Sequence, residues 1–287
     1  MALTVAQGFD TFLTRLVPLE TQRSAAASHR SSVETSLRNA LDVQLFREAG
    51  SFSHGTGVRG HCDVDLLVSL KDKPGTSGTA LDRVKGALSK SFPHTTVRIS
   101  RPAVVVEFSA GAETWEVIPG YRKNDKDPAL YDIPGVGGVE WMESAPLEHL
   151  SYVNDVNKEA AIAGGAKKLA RLAKAWKYYN NVPMSSFYLE MRAAQYLSGD
   201  KSFVPVCDVC FLFEHLAKIS LGPMNDPKGV TTRFYACSTT AKAEDALSKV
   251  NTAATRARKA LDAYRADKPA EAFSYLNLLF GGQFPAR

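Results

Sequence analysis

Apolar positions near the N-terminus recur every three to four residues. Phe9, Phe12, Leu13, Leu16 and Val17 fall at helical spacing up to Pro18, and Val33, Leu37, Leu41 and Leu45 carry the rhythm through a second helix. In HCDVDLLVSL (61–70) the period shortens to two, the mark of a strand, and LKDKPGTSGT then turns the chain into a short amphipathic helix marked by Leu81, Val84 and Leu88. TVRIS (96–100), AVVVEF (103–108) and TWEVIP (114–119) read as further strands, the last two joined by a hairpin-like turn at SAGAE. GYRKNDKDPALYDIPGVGG, up to Gly138, is rich in Gly, Pro and Asp and reads as a long connection or active-site loop. Beyond it the pattern is helical, over 146–158, 166–180, 185–198, 206–220, 240–265 and 269–280, with Leu247, Val250, Ala254, Ala257, Leu261 and Tyr264 as the clearest stripe. The expected fold is α+β. A mixed-sheet lobe over residues 1–150 includes the two leading helices, a helical lobe follows over 151–287, and the active site lies in the cleft between them.

One detail does not suit an ordinary strand. Asp63 and Asp65 are two apart and share a face, while Val64 and Leu66 share the other. Aspartate is depleted in strands, and two carboxylates side by side repel, so both stay ionised only beside a compensating cation. Gly50 and Ser51 precede the loop leading into this strand. Glycine permits close backbone approach, so free N–H groups and the serine hydroxyl are able to meet phosphate oxygens. A phosphate cradle beside two carboxylates points to magnesium, with manganese as a substitute, and two such ions clamp the attacking and leaving oxygens of an in-line displacement. A third acid is expected from a neighbouring strand. Glu116 is favoured because its neighbours Trp115, Val117 and Ile118 are apolar and because it precedes a proline-terminated strand end; Glu107 in VVVEF is the rival.

Composition narrows the class without choosing a substrate. The 287 residues, 45% of them hydrophobic and 9% aromatic, suit about two folded domains. No apolar run reaches membrane-span length and MALTVAQGFDTFLTRLVPLE lacks a signal-peptide pattern, so the expected location is cytoplasmic. The net charge of +5 is scattered, which fits a small anionic ligand as well as a polyanion, and no obligatory nucleic acid is expected. Cys62, Cys207, Cys210 and Cys237 show no disulfide framework; the lone CDVC at 207–210, even with Cys237 and His215, is a loose zinc set and reads as packing thiols.

Gly50-Ser51, then Asp63-x-Asp65, then an acid in a later strand resembles the DNA polymerase β nucleotidyltransferase superfamily. Within it, GSFSHGTGVRGHCDVDLLV, EVIPGY, KKLARLAKAWKYY and SSFYLE resemble the cGAS/DncV-like nucleotidyltransferases over about residues 30 to 230. The resemblance implies a polymerase β-like catalytic lobe that joins nucleoside triphosphates into a cyclic oligonucleotide, with release of pyrophosphate, as a signal to a downstream effector in antiphage defence. A monomer without membrane attachment is expected. Lys174 matches the lysine that in relatives reaches the triphosphate, Ser186 the serine that contacts phosphate, and Phe187 the aromatic that stacks on the base. The third acid is commonly Asp in relatives, where this chain has Glu. Other outcomes remain open at this point: transfer of one nucleotide to an RNA, protein or small-molecule acceptor, linear oligonucleotide synthesis, or a silent nucleotide-binding scaffold.

The helix at 166–180 bears on the same site. Lys167, Arg171 and Lys174 share one side and Leu169, Leu172 and Trp176 the other, so the basic stripe is expected to face away from the core, with Lys167 and Arg171 as a solvated face. Ser185 is a candidate N-cap for the next helix, and Asn225, Asp226 and Pro227 read as a turn. His54 and His61 flank the loop ahead of the aspartates, which need no histidine partner.

Overall fold

The computed structural model describes residues 4–287 apart from 62, 110–112, 125–128, 160, 200 and 201, and apart from the side chains of 21–27 and 52. Cys62 and the tip of the SAGAE turn therefore lie outside the described residues. Helices α1 (Val5–Leu16) and α2 (Glu20–Ala40) lead into strand β1 (Val43–Ala49), the short helix α3 (Gly50–His54) and strand β2 (Val64–Leu70). Helix α4 (Ser77–Ser91) precedes β3 (Thr96–Ser100), β4 (Ala103–Phe108), β5 (Glu113–Arg122), β6 (Tyr131–Pro134) and β7 (Trp141–Ser144). The rest is helical, with α5 (Pro146–Lys158), α6 (Gly165–Tyr179), α7 (Ser186–Leu197), α8 (Pro205–Lys218), α9 (Thr240–Arg265) and α10 (Pro269–Leu279), and a small ribbon of β8 (Met224–Asn225) and β9 (Arg233–Phe234) before α9.

The large sheet runs β1-β2-β5-β4-β3, with β6 and β7 added at the far end of β5. Among the described residues only the β2–β5 pair is parallel. Val64, Leu66, Val68, Trp115, Val117, Val104 and Val106 line one face and pack under Val33 and Leu37 of α2 and Leu81, Val84 and Leu88 of α4. The two-residue period puts Asp65 and Glu116 on the other face. A second core, made of helices, holds Phe9 and Phe12 of α1, Leu172 and Trp176 of α6, Tyr188 of α7, Phe213 of α8, Leu261 of α9 and Phe280. The leading helices thus divide, α1 packing in the helical core and α2 on the sheet.

Three expectations on the elements need correction. Leu45 belongs to β1 rather than to the second helix, which ends at Ala40. The Gly/Pro-rich stretch after residue 119 carries β6, and β7 follows shortly after it, where a loop was expected. Pro119 does not end its strand: β5 pairs with β4 as far as Val117 and with β6 from Tyr121, so Pro119 sits where that side wants no N–H donor.

Candidate active site

The site begins where β1 ends. Ala49 lies opposite Asp65 across the β1–β2 pair, and the chain then turns sharply at Gly50, whose φ of +63° is the left-handed region that glycine tolerates. A Cβ on Gly50 would stand 1.7 Å from Asp65 Oδ2. The glycine is therefore needed to admit the aspartate, a role apart from any approach by phosphate. The next residue, Ser51, donates its backbone N–H to the Asp65 carboxylate.

Asp65 pairs in register with Glu116 on the parallel neighbour, and Glu116 in turn faces Val105 of β4. Asp63 stands one residue before β2. Burial raises the pKa of all three carboxyls, and in Asp65 the charges of Glu116 and Asp63 push it well above the usual carboxylate range. Asp65 and Glu116 approach closely enough for each to bear on the other's charge, so the pair favours a shared proton or a bound cation over two bare carboxylates. The rival, Glu107, shares this face but is engaged by Arg98, whose Nε lies 2.9 Å from its Oε1.

The donor set is hard oxygen, which suits magnesium or manganese. Among the described residues no three His, Cys, Asp or Glu side chains are gathered tightly enough to cage an ion by themselves. Magnesium does not ask for a cage: it keeps one or two carboxylates and takes its remaining ligands from water and substrate phosphates. An Asp65–Glu116 pair with Asp63 at its edge fits that requirement.

The wall facing the carboxylates comes from α6 and α7. Lys177 Nζ donates to Ser186 Oγ at 2.6 Å, and the Tyr178 hydroxyl lies 3.2 Å from the same oxygen. Burial and the Lys174 ammonium lower Lys177 to about 8, against the pull of Asp63 and Glu116, which places this lysine toward the acids. His61 stacks on Tyr178 with ring centroids 4.7 Å apart, tying the approach to Asp63 to the end of α6. Ser185 caps α7 by accepting from the Tyr188 N–H at 3.2 Å. Phe187, 36% exposed, packs edge-on against His149 and Phe234. Asp226 fixes the turn that brings Phe234 there, accepting from the N–H groups of Lys228, Val230 and Thr231.

The basic stripe of α6 does not face solvent. Arg171 donates to the carbonyls of Gly55 and Gly57, and Lys174 is buried, donating to Thr56 Oγ1 at 3.1 Å beside Glu190. A helical wheel separates polar from apolar sides but does not distinguish water from a polar neighbour. Thus Asp63, Asp65, Glu116, Gly50 and Ser51 come together, Ser186 faces them through Lys177, and Lys174 is held by Glu190 and Thr56. Lys177 and Glu190 escaped the sequence reading. Glu190 had a signal, a charge between Leu189 and Met191 on a helix otherwise short of acids; Lys177 had none beyond being basic.

Residues 3–157 match the family described as the Second Messenger Oligonucleotide or Dinucleotide Synthetase domain. The chain is 24% identical over 170 residues to the CBASS oligonucleotide cyclase CdnC of Escherichia coli strain KTE188, covering 56% of this chain and 53% of that protein. The match thus spans about half the length of that relative. It is 24% identical to the cyclic AMP-AMP-AMP synthase of Acinetobacter sp. strain ATCC 27244 / 9458, over 99% of this chain and 86% of that one. Among solved structures, that of E. coli MS115-1 CdnC with ATP superposes with a TM-score of 0.77 over 99% of both chains at 18% identity, a likeness of fold.

Proposed function

The chain belongs to the Second Messenger Oligonucleotide or Dinucleotide Synthetase domain family, and from that premise we propose that it is a metal-dependent nucleotidyltransferase joining nucleoside triphosphates into a cyclic oligonucleotide. The product would signal to a downstream effector in bacterial antiphage defence. The observation that carries the reading is the register of Asp65 against Glu116, with Gly50 and Ser51 closed onto Asp65.

Each step joins a ribose hydroxyl oxygen to the α-phosphorus of a triphosphate, breaks the bond from that phosphorus to the bridging oxygen, and releases pyrophosphate while the hydroxyl proton passes to water. Repetition on the linear intermediate closes the ring. Asp63, Asp65 and Glu116 would hold magnesium or manganese, which offsets phosphate charge and makes the hydroxyl more acidic. Lys177 and the Ser186 hydroxyl, bonded to each other, would receive the phosphates, with Lys174 adding positive field from behind and the backbone at Gly50 and Ser51 closing the other side. Phe187 offers a partly open ring to a base, and such stacking is worth about 1–3 kcal/mol while tolerating many bases.

The test mixes purified protein with all four labelled triphosphates and magnesium and looks for a phosphatase-resistant product. Product without any added acceptor is expected, and Asp63→Ala with Asp65→Ala should abolish it while the melting curve persists. Release that depends on an added RNA, protein or small molecule would point instead to single-nucleotide transfer; unchanged turnover by the double variant would refute the site.

A further inference from the structure

A buried polar hub lies between the two cores, and of its members only Lys174, through its positive field, enters the steps above. Glu190, 3% exposed in the middle of α7, divides its two oxygens: Oε1 bonds with His54 Nδ1, and Oε2 accepts from the Thr56 hydroxyl and faces Lys174 Nζ at 3.4 Å. His54, Thr56 and Lys174 are 3%, 0% and 1% exposed. Burial would raise the Glu190 carboxyl, but the Lys174 ammonium, then His54 and Thr56, outweigh it and hold the group down at about 2. A buried ion pair of this kind is seldom more stabilising than apolar packing, so its presence calls for a geometric reason.

The geometry supplies one. His54 is the last residue of the short helix whose first residue is Gly50, so four residues of helix, about 6 Å, separate the hub from the backbone that closes on Asp65. Arg171 grips the carbonyls of Gly55 and Gly57 from the same side. Residues 54–57 are thus held by side chains and backbone alike, from α6 and α7 of the helical core.

We propose that Glu190 is a positioning residue for nucleotidyl transfer, fixing residues 50–57 through His54 and Thr56 so that Gly50 and the Ser51 N–H stand in register against Asp65. This rests on the reading of Asp63, Asp65 and Glu116 as the transfer centre. Glu190 itself bonds to His54, Thr56 and Lys174 and to none of Asp63, Asp65 and Glu116.

Four proteins test it: wild type, Glu190→Gln, Thr56→Val and Thr56→Ser. Two readouts are taken, amide hydrogen exchange across residues 50–57 and steady-state pyrophosphate release against nucleotide concentration. Loosening of the segment should raise its exchange about tenfold in Glu190→Gln and Thr56→Val. kcat should fall about tenfold with KM moving less than about threefold, since a misplaced reacting group costs rate rather than binding. Thr56→Ser, which keeps the hydroxyl, should restore both. If Glu190→Gln fails to fold, the Thr56 pair decides alone. Unchanged exchange over 50–57 in Thr56→Val overturns the proposal whether or not the protein turns over, as does raised exchange with unaltered kcat. Absence of wild-type turnover sinks the reading of the centre instead, and the exchange data still judge the hub.

Discussion

Asp65 is the residue where function and stability pull hardest against each other. It is buried among acids, with the Lys174 field and one backbone N–H, from Ser51, as its opposing influences. Its folded pKa lies above the unfolded value, so an ionised Asp65 destabilises the fold at neutral pH, and the penalty shrinks as pH falls toward the folded pKa. Asparagine keeps the shape: its carbonyl oxygen accepts the Ser51 N–H and its amide donates to Glu116. Asp65→Asn is therefore expected to stabilise the metal-free protein by about 0.5–2 kcal/mol, the usual size of such function-for-stability exchanges. That is a rise of a few degrees in Tm, at about 2–4 °C per kcal/mol. Pyrophosphate release should fall by at least about a hundredfold with the loss of the charge. Thermal melts in chelator and a release assay check the two halves. A Tm well below wild type would mean the carboxylate is already compensated within the protein.

At the scale of elements, α6 is the seam between the cores, and it separates two lysines that sequence treats alike. Lys174 is locked to Glu190 and Thr56, while Lys177 leans toward the acids and Ser186. Lys174→Met should act on stability, at about 3–5 kcal/mol, because it strands a buried carboxylate. Lys177→Met should act on nucleotide use. Lys177 is lowered to about 8, so its charge is present below that pH and lost above it. In wild type kcat/KM, which reports the free enzyme, should decline above about pH 8, and Lys177→Met should start low and lack that limb. A raised KM with normal stability in Lys174→Met would return the triphosphate to Lys174. The sequence carried much of this seam: the C-terminal helices fall within a residue or two of their expected ends, and strict alternation placed Asp65 on the face opposite Val64 and Leu66, beside Glu116. Strand β1 hid because Leu41 and Leu45 continue the helical spacing past the helix end. The β6–β7 extension hid because Pro and Gly, ordinarily turn residues, fill a short edge. Which lysine meets which acid was beyond reach, since it depends on the packing of α6 against residues 54–57.

For the whole molecule, the helical core and the larger sheet core meet beside residues 54–57, and the hub that bridges them there is polar. Polar seams of this kind leave domains able to unfold separately. The first helix is the place to test it. Phe12 packs with Phe280 at 4.7 Å and Phe284 at 5.3 Å between centroids, closing the helical core with residues from both ends of the chain. The end of α1 also reaches toward the site: the Arg59 N–H donates to the Leu16 carbonyl at 2.7 Å and its Nε to Val17 at 2.8 Å, two residues before His61. Phe12→Ala should cost about 3–5 kcal/mol, as for a large aromatic removed from a core. Calorimetry is expected to show that loss in the transition of the helical core, lowered by roughly 2–4 °C per kcal/mol, with the sheet core shifted by less than about 3 °C. On the proposed reading a saturating nucleoside triphosphate with magnesium would contact both sides of the seam. At about a hundred times its dissociation constant it adds about 2.7 kcal/mol to the bound form, so it should draw the two transitions of the variant back together. One transition that moves as a unit without nucleotide would show that the hub alone couples the cores.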